Sequence, residues 1–360
     1  MKSLQGTSLG DFLDARKTTV SGFVDLRYTA TNVGSLNRLP AGMGYSFNPD
    51  VPQFNWVTVN RAVDKESKEA SFGYEVDLIL FGSNYQFTLA RDLFSNQLTA
   101  NNGRPNPYGV DVPEFYAEWY FPNVFKGLDV QVGRRYARFG IESLNPIQTV
   151  LPSYSYDFIY NPYTYTGVML EANVTDNITV TSDFTLGPDV WFGDSARFFW
   201  LGAVHYYFTK KTFVRGAVFI GDNRYDAARG QNYPAFVDVD FVHKFGDQDK
   251  WTFSSEYTYG WQRDVPGIGY AKWYSFANYL TYAWTDKFAT TGRVEFFDDV
   301  DGQRTGFKGL YSSFTVGNTW RPNDWLMFRP EVRYDYNNQS LPFDGRSNFF
   351  GVTLNGIILW

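Results

Sequence analysis

The residues best equipped for chemistry in this chain are charged, and many of them recur at intervals of two. Arg293 and Glu295 flank Val294, Glu331 and Arg333 flank Val332, and Asp335 follows Tyr334. Guanidinium and carboxylate groups at this spacing line one face of a β-strand, where they can order water, bind ions or orient a polar solute. A second charged group runs through Arg134, Arg135, Arg138, Glu142 and Asp157. Parts for covalent or acid–base chemistry are scarce. The chain has no cysteine and two histidines, His205 and His243, and carries no G-x-S-x-G, P-loop, H-E-x-x-H or G-x-G-x-x-G. His243 has outward parity near a turn with no serine set beside it, and His205 has inward parity. The expectation is a protein that is not an enzyme and holds no histidine-based metal. The stretch Asp298 to Gly302 resembles the start of a calcium loop without its later ligands. Asp299 and Asp301 are therefore weak candidates for a loop-bound Ca²⁺, against the alternative of a plain acidic loop, and no other cofactor is expected.

What positions these side chains is an alternation of apolar and polar residues. Phe72, Tyr74, Val76, Leu78 and Leu80 alternate with Ser71, Gly73, Glu75 and Asp77, and similar patterns cover Ile178–Thr185, Val237–Phe241, Phe253–Gln262 and Leu326–Asp335. This is the signature of strands with one greasy and one polar face. It predicts sixteen strands, starting near residues 19, 53, 70, 112, 128, 163, 177, 196, 212, 234, 251, 271, 287, 307, 325 and 347. Nothing interrupts the pattern, so residues 17–360 read as a single domain. Residues 1–16 read as a separate periplasmic segment, with Leu4, Leu9, Phe12 and Leu13 forming a short amphipathic helix. That segment lacks the apolar core of a signal peptide. Pro330 inside a strand predicts a local bulge.

The connections alternate in length. Short ones such as TDN (Thr175 to Asn177), TKK, TDK and RPND are interleaved with long ones around 32–51, 83–111 and 140–162. Aromatics flank the short turns: Phe208, Phe213, Trp251, Trp284, Trp320, Trp325 and the terminal Trp360. Amphipathic rings at strand ends suit a membrane interface. Together these features predict an all-β fold, a transmembrane antiparallel barrel of about sixteen strands with short periplasmic turns and long external loops. A soluble propeller or sandwich would need neither the two loop lengths nor the terminal aromatics. Composition agrees: 44% of residues are hydrophobic and 20% aromatic, with a net charge of −6. Such a chain is neither disordered nor suited to nucleic acid. The aromatics are expected to face lipid and the rims, with charge lining the middle.

The segment GRRYARFGIESLNPIQTVLPSYSYDFIYNPYTYTGV, residues 133–168, combines basic residues after a strand glycine, a G-x-E, a loop rich in Asn, Ser and Tyr, and a P-x-T-x-T-G strand start. In these features, and more weakly in GFVDLRYTA at 22–30, the chain resembles the OmpL-like β-barrel porin family. The resemblance implies a channel in the bacterial outer membrane and supplies no catalytic residues. Its partners would be outer-membrane lipid and lipopolysaccharide, small hydrophilic solutes and ions, and, by analogy with sixteen-stranded porins, two further copies in a homotrimer.

A barrel this wide stays wet inside unless it is plugged. The long loop at 140–162 is expected to fold into the lumen, its Glu142 and Asp157 facing a basic wall of Arg135, Arg293 and Arg333, with Glu295 and Glu331 beside them. Opposed charges would set a transverse field there. Strict alternation puts Arg134 and Arg138 on the lipid side, at a cost of a few kcal/mol unless a bulge or the loop end rescues them. Inward positions carry more acids than bases, Glu75, Asp77, Glu114, Asp238 and Glu256 among them, which predicts a mild cation preference. The leading expectation is passive diffusion of small hydrophilic solutes. The alternatives are a sugar- or oligosaccharide-specific channel with Tyr154, Tyr156, Tyr160, Tyr163 and Tyr165 as a stacking track, or a closed structural or adhesion barrel.

Overall fold

The computed structural model describes residues 6–34, 53–82, 85, 89, 95–101, 103, 106 and 108–360. Its frame is sixteen strands: β1 (Thr19–Thr31), β2 (Phe54–Arg61), β3 (Ser71–Gly82), β4 (Gly109–Phe121), β5 (Leu128–Tyr136), β6 (Thr164–Asn173), β7 (Ile178–Pro188), β8 (Phe199–Thr209), β9 (Thr212–Gly221), β10 (Ala235–Phe245), β11 (Trp251–Val265), β12 (Gly269–Thr285), β13 (Phe288–Asp299), β14 (Gly309–Asn323), β15 (Leu326–Asn337) and β16 (Asn348–Leu359). Each expected strand start lies within three residues of an observed one. Every strand pairs antiparallel with its neighbours in sequence, and β1 closes the barrel on β16 from Phe23↔Leu359 to Thr31↔Gly351. Closure is what lets strands sit in lipid, because it leaves no edge N–H or C=O without a partner. No helix among the described residues is long and apolar enough to cross a membrane, so the crossing elements are the strands.

One rim carries both ends of the barrel chain and turns as short as Lys210–Lys211, Asp286–Lys287 and Asp324–Trp325. The opposite rim carries the connections 32–53, 83–108 and 137–163. Between β11 and β12 the connection is only 266–268, but these strands have 15 and 17 residues, so there the hairpin itself extends beyond its neighbours.

Strand β15 shows how the faces separate. From Met327 to Asn337, buried and exposed residues alternate without a break, Arg329, Glu331, Arg333 and Asp335 turning inward and Phe328, Pro330, Val332, Tyr334 and Tyr336 outward. Pro330 makes no bulge, contrary to expectation. Its register with β16 runs unbroken through Arg329↔Asn355, Pro330↔Leu354 and Glu331↔Thr353. Toward β14 the same register holds on either side of Pro330, with pairing absent between Gly317↔Glu331 and Trp320↔Phe328, and the register shifts only nearer the turn, between Trp320 and Asn323. The ladder therefore absorbs the missing N–H as a gap rather than as an extra residue.

Phe208, Trp284, Trp320, Trp325 and Trp360 are exposed at the short-turn rim, and Trp251 packs there against Tyr282 with ring centroids 4.5 Å apart and planes tilted by 45°. Phe213 departs from the expected girdle. It shares the inward parity of Arg215 and packs edge-on against His205 at 4.7 Å, so it sits on the inner face of β9. Aromatics also fill much of the interior, which alternation alone did not anticipate. Trp273, Phe297, Tyr311, Phe343 and Phe349 form one buried cluster, Phe199, Phe219, Tyr233 and Phe236 a second, and Phe23, Phe54, Trp56 and Ile79 a third. Loop residues Tyr156, Phe139 and Leu144 belong to these clusters, so the inner wall turns apolar where loops pack on it. Before the barrel, α1 (Ser8–Asp14) is capped by Thr7 Oγ1, which accepts from Gly10 N at 3.1 Å, and it leaves Leu9 and Phe12 exposed.

Candidate functional site

The charged residues at 134–138 are placed by a local distortion in β5. Gly133 has φ +138°, and a Cβ there would lie 2.1 Å from the Phe115 carbonyl oxygen, so only glycine lets the strands approach so closely. Both following arginines are fully buried. Arg135 pairs with Asp183 and donates to the Gly133 carbonyl at 2.9 Å. Arg134 takes the opposite face, and its charge is met by Asp111 at 3.1 Å, the Val112 carbonyl at 2.7 Å and the Thr164 hydroxyl, with the Trp191 ring 5.6 Å away. Arg138 lies past the end of β5 and donates to Gln131 Oε1 at 3.2 Å. Neither Arg134 nor Arg138 is left bare to lipid.

The connection 137–163 is rooted on β5 and β6 but bonded to inward-facing residues of β9, β11, β13 and β15. A 3₁₀ turn at Pro146–Gln148 is capped by Asn145, and α2 (Tyr156–Tyr160) by Ser155, whose hydroxyl accepts from Phe158 N at 3.1 Å. Glu142 then gathers the segment. It accepts from Ser155 N at 2.7 Å and Ser155 Oγ at 2.9 Å, and it pairs with Arg293 at 2.8 Å. Arg293 also donates to the Ser153 carbonyl at 2.7 Å. Arg333 donates to the Tyr154 carbonyl at 2.6 Å while pairing with Asp335 at 2.9 Å. Glu331 accepts from Ser153 N and Glu295 from Asp157 N. At the edges, Arg329 donates to the Pro146 carbonyl and Arg215 to the Gly140 carbonyl, and Glu256 accepts from Ile141 N.

Six expected site residues, Glu142, Asp157, Arg293, Glu295, Glu331 and Arg333, are therefore brought together, whereas Arg135 stands apart on the Asp183 pair. The electrostatics differ from the expected transverse field. Acid and base are not held across a gap: Glu142 touches Arg293, and Arg333 is balanced by Asp335 on its own strand. Fields of opposed charges collapse when the charges meet, and what remains is attachment.

All five expected tyrosines are engaged in packing. Tyr156 lies 5.6 Å from Phe297 and 4.9 Å from Tyr311, Tyr154 stacks on Phe158 at 4.5 Å, and Tyr165 stacks on Phe219 at 4.7 Å. Burial pushes the Tyr156 and Tyr160 phenols well above their ordinary range, so both stay neutral. Tyr163 also lines open space. That space is a cavity of about 500 Å³ between the segment and the β3–β4 wall, bordered by Glu75, Asp77, Glu114, Arg138, Arg215 and Glu256 and by Tyr116, Tyr136, Phe139 and Phe158.

Alternation marks Glu75, Asp77 and Glu114 as inward, but their convergence depends on the register Asp77↔Glu114. Their oxygens come within 4.8 Å of one another. Each has a partner: Tyr116 OH for Glu75, the Thr58 and Tyr136 hydroxyls for Asp77, and Tyr136 N for Glu114. Asp299 serves its own loop, and Asp301 reaches the start of β12. Asp299 Oδ2 accepts from Thr305 N at 2.7 Å and Arg304 N at 3.0 Å, and Asp301 Oδ2 accepts from Lys272 N. His243 Nδ1 lies 2.8 Å from the Thr212 hydroxyl rather than beside a serine.

Solved structures share this architecture at low sequence identity. The outer membrane channel DcaP of Acinetobacter baumannii superimposes with a TM-score of 0.61 at 10% identity, covering 95% of this chain and 97% of its own. OprB of Pseudomonas putida gives 0.61 at 12% identity over 98% and 96%. The trimer form of OmpT, an outer membrane protein of Vibrio cholerae, gives 0.57 at 11% identity over 95% and 99%. No curated protein sequence matches the chain. The family described as "Putative beta-barrel porin-2, OmpL-like" matches residues 17–355, and with a closed sixteen-strand barrel around those residues the chain belongs to that family of bacterial outer-membrane porins.

Proposed function

We propose that this porin is a water-filled channel for passive diffusion of small hydrophilic solutes and ions, with cations favoured and with residues 137–163 narrowing the lumen. The observation that carries the reading is the division of charge around the cavity. Of the two arginines on the cavity, Arg215 meets Asp240 and Arg138 reaches Gln131, while Arg135, Arg293 and Arg333 lie beyond its lining and meet Asp183, Glu142 and Asp335. Glu75, Asp77 and Glu114 border the cavity with hydroxyl and backbone partners. A passage lined by such carboxylates attracts cations and repels anions.

Current through the purified protein in a planar bilayer under a KCl gradient tests this. A cation-selective reversal potential is expected. An anion-selective value would overturn the selectivity, and the absence of current would favour the closed barrel. A sugar-specific channel is the second reading, favoured by the rings of Tyr116, Tyr136, Phe158 and Tyr163 on the same cavity. Block of the current by added oligosaccharide would select it. The apolar outer wall would meet lipid and lipopolysaccharide and could seat two further copies as a homotrimer, with residues 1–16 on the periplasmic side.

A further inference from the structure

Three carboxylates from three separate elements meet where α2 touches the wall. Asp157 comes from α2, Asp238 from β10 and Glu256 from β11, and one oxygen of each lies within 4.8 Å of the others. All three side chains are buried, at 1%, 0% and 3% exposure. The neighbouring cation does not neutralise them, because Arg215 is paired with Asp240. Some oxygens are satisfied. Asp157 Oδ2 accepts from Asn161, Asp238 Oδ2 from Thr258 and Glu256 Oε2 from Ile141 N. Asp157 Oδ1 and Asp238 Oδ1 are wholly buried with no hydrogen-bond partner, and so is Ser275 Oγ on the adjacent strand β12.

Unpartnered carboxylate oxygens in a buried site are costly unless a proton or a metal ion meets them. Here the donors are all hard oxygens, with neither histidine nor cysteine, which suits Ca²⁺ or Mg²⁺ and not a transition metal. Oxygens bound about 2.4 Å from one Ca²⁺ can be up to about 4.8 Å apart across the ion, and the three oxygens lie within that limit.

We infer that Asp157, Asp238 and Glu256 form a divalent-cation site, suited to Ca²⁺, that fastens the 137–163 segment to β10 and β11. Glu75, Asp77 and Glu114 serve as the internal comparison, since their grouping is similar but none of their oxygens is buried without a hydrogen-bond partner. The ion would act as a cross-link, so its loss would loosen α2 without opening the barrel.

The test is calorimetric titration of CaCl₂ into the folded protein after EDTA treatment, at pH 7.5 in detergent, which is independent of whether the protein conducts. One saturable Ca²⁺ per chain is expected. Binding should weaken at least tenfold in D238N, E256Q and D157N, and persist in the E75Q/E114Q variant. D157N lies outside the barrel wall, so it preserves the test if a wall variant fails to fold. Absence of saturable binding to the wild-type protein would mean that shared protons stabilise the cluster and would overturn the proposal. So would binding that survives D157N, or binding lost only in E75Q/E114Q.

Discussion

The two sides of the 137–163 segment meet the barrel in opposite ways. Toward β13 and β15 it is held by Arg293, Arg329 and Arg333, which donate to its backbone carbonyls. Toward β3 and β4 it leaves a cavity edged by Glu75, Asp77 and Glu114. Both wall regions came from the same alternation of polar and apolar residues. Arginine on one side serves attachment because its planar group carries five donors and can serve several carbonyls at once. Carboxylates on the other side have no comparable reach toward a backbone rich in acceptors, and that side stays open.

Breaking the attached side should have the largest effect. R293A leaves the buried Glu142 carboxylate without its partner, a loss of about 3–5 kcal/mol for a buried pair. The double variant R293A/R333A should release the segment while the barrel ladder stays intact. Single-channel conductance should rise, and protease should cut within 137–163 while heat-resistant barrel mobility on gels persists. Unchanged conductance would mean that the segment does not limit flow.

The open side should respond in selectivity rather than in stability. Removing the three charges in E75Q/D77N/E114Q withdraws about 1 kcal/mol of attraction per charge at 4 Å in water-like surroundings. The cation-to-anion permeability ratio should fall severalfold with little change in folding, as read from reversal potentials.

A smaller effect comes from pH and sharpens the boundary between the sides. Burial, together with the charge of Asp240 nearby, pushes the Asp157 carboxyl above its usual range. A raised value means that the docked state holds the extra proton. Docking therefore strengthens as pH falls through the raised value and gains nothing more below the ordinary carboxylate pKa of about 3.9. In EDTA, protection of 137–163 from protease should increase on mild acidification, and D157N should flatten the response. Asp238 and Arg215 also face this group, so E256Q should shift the midpoint.

The smallest effect is expected at the rim, where Arg224 holds half-exposed Asp222 down at about 2. That interaction contributes above the ordinary carboxylate value and is lost as pH falls through about 2. Solvent screens it, so D222N should leave both thermal stability and conductance at wild-type values.

Much of this was legible in the residues. Period-two alternation located all sixteen strands because each strand meets two different solvents, and the inward parity of Arg293, Glu295, Glu331 and Arg333 followed directly. Phe213 and the inner aromatic clusters were not legible, since alternation tells the two faces of a strand apart but cannot say what covers each face. Arg134 was hidden for the same reason, its partner Asp111 being a neighbour only through strand pairing and the Gly133 distortion.

By itself, then, the sequence determined a closed barrel with a charged inner wall, because lipid on one face and water on the other impose a pattern that each strand must carry locally. Tertiary structure alone decided that Glu142 touches Arg293, that three acids border a cavity and that Asp157 meets Asp238 and Glu256. These are contacts between residues up to about 150 positions apart, set by strand register and by where one loop lands, and no local pattern encodes either.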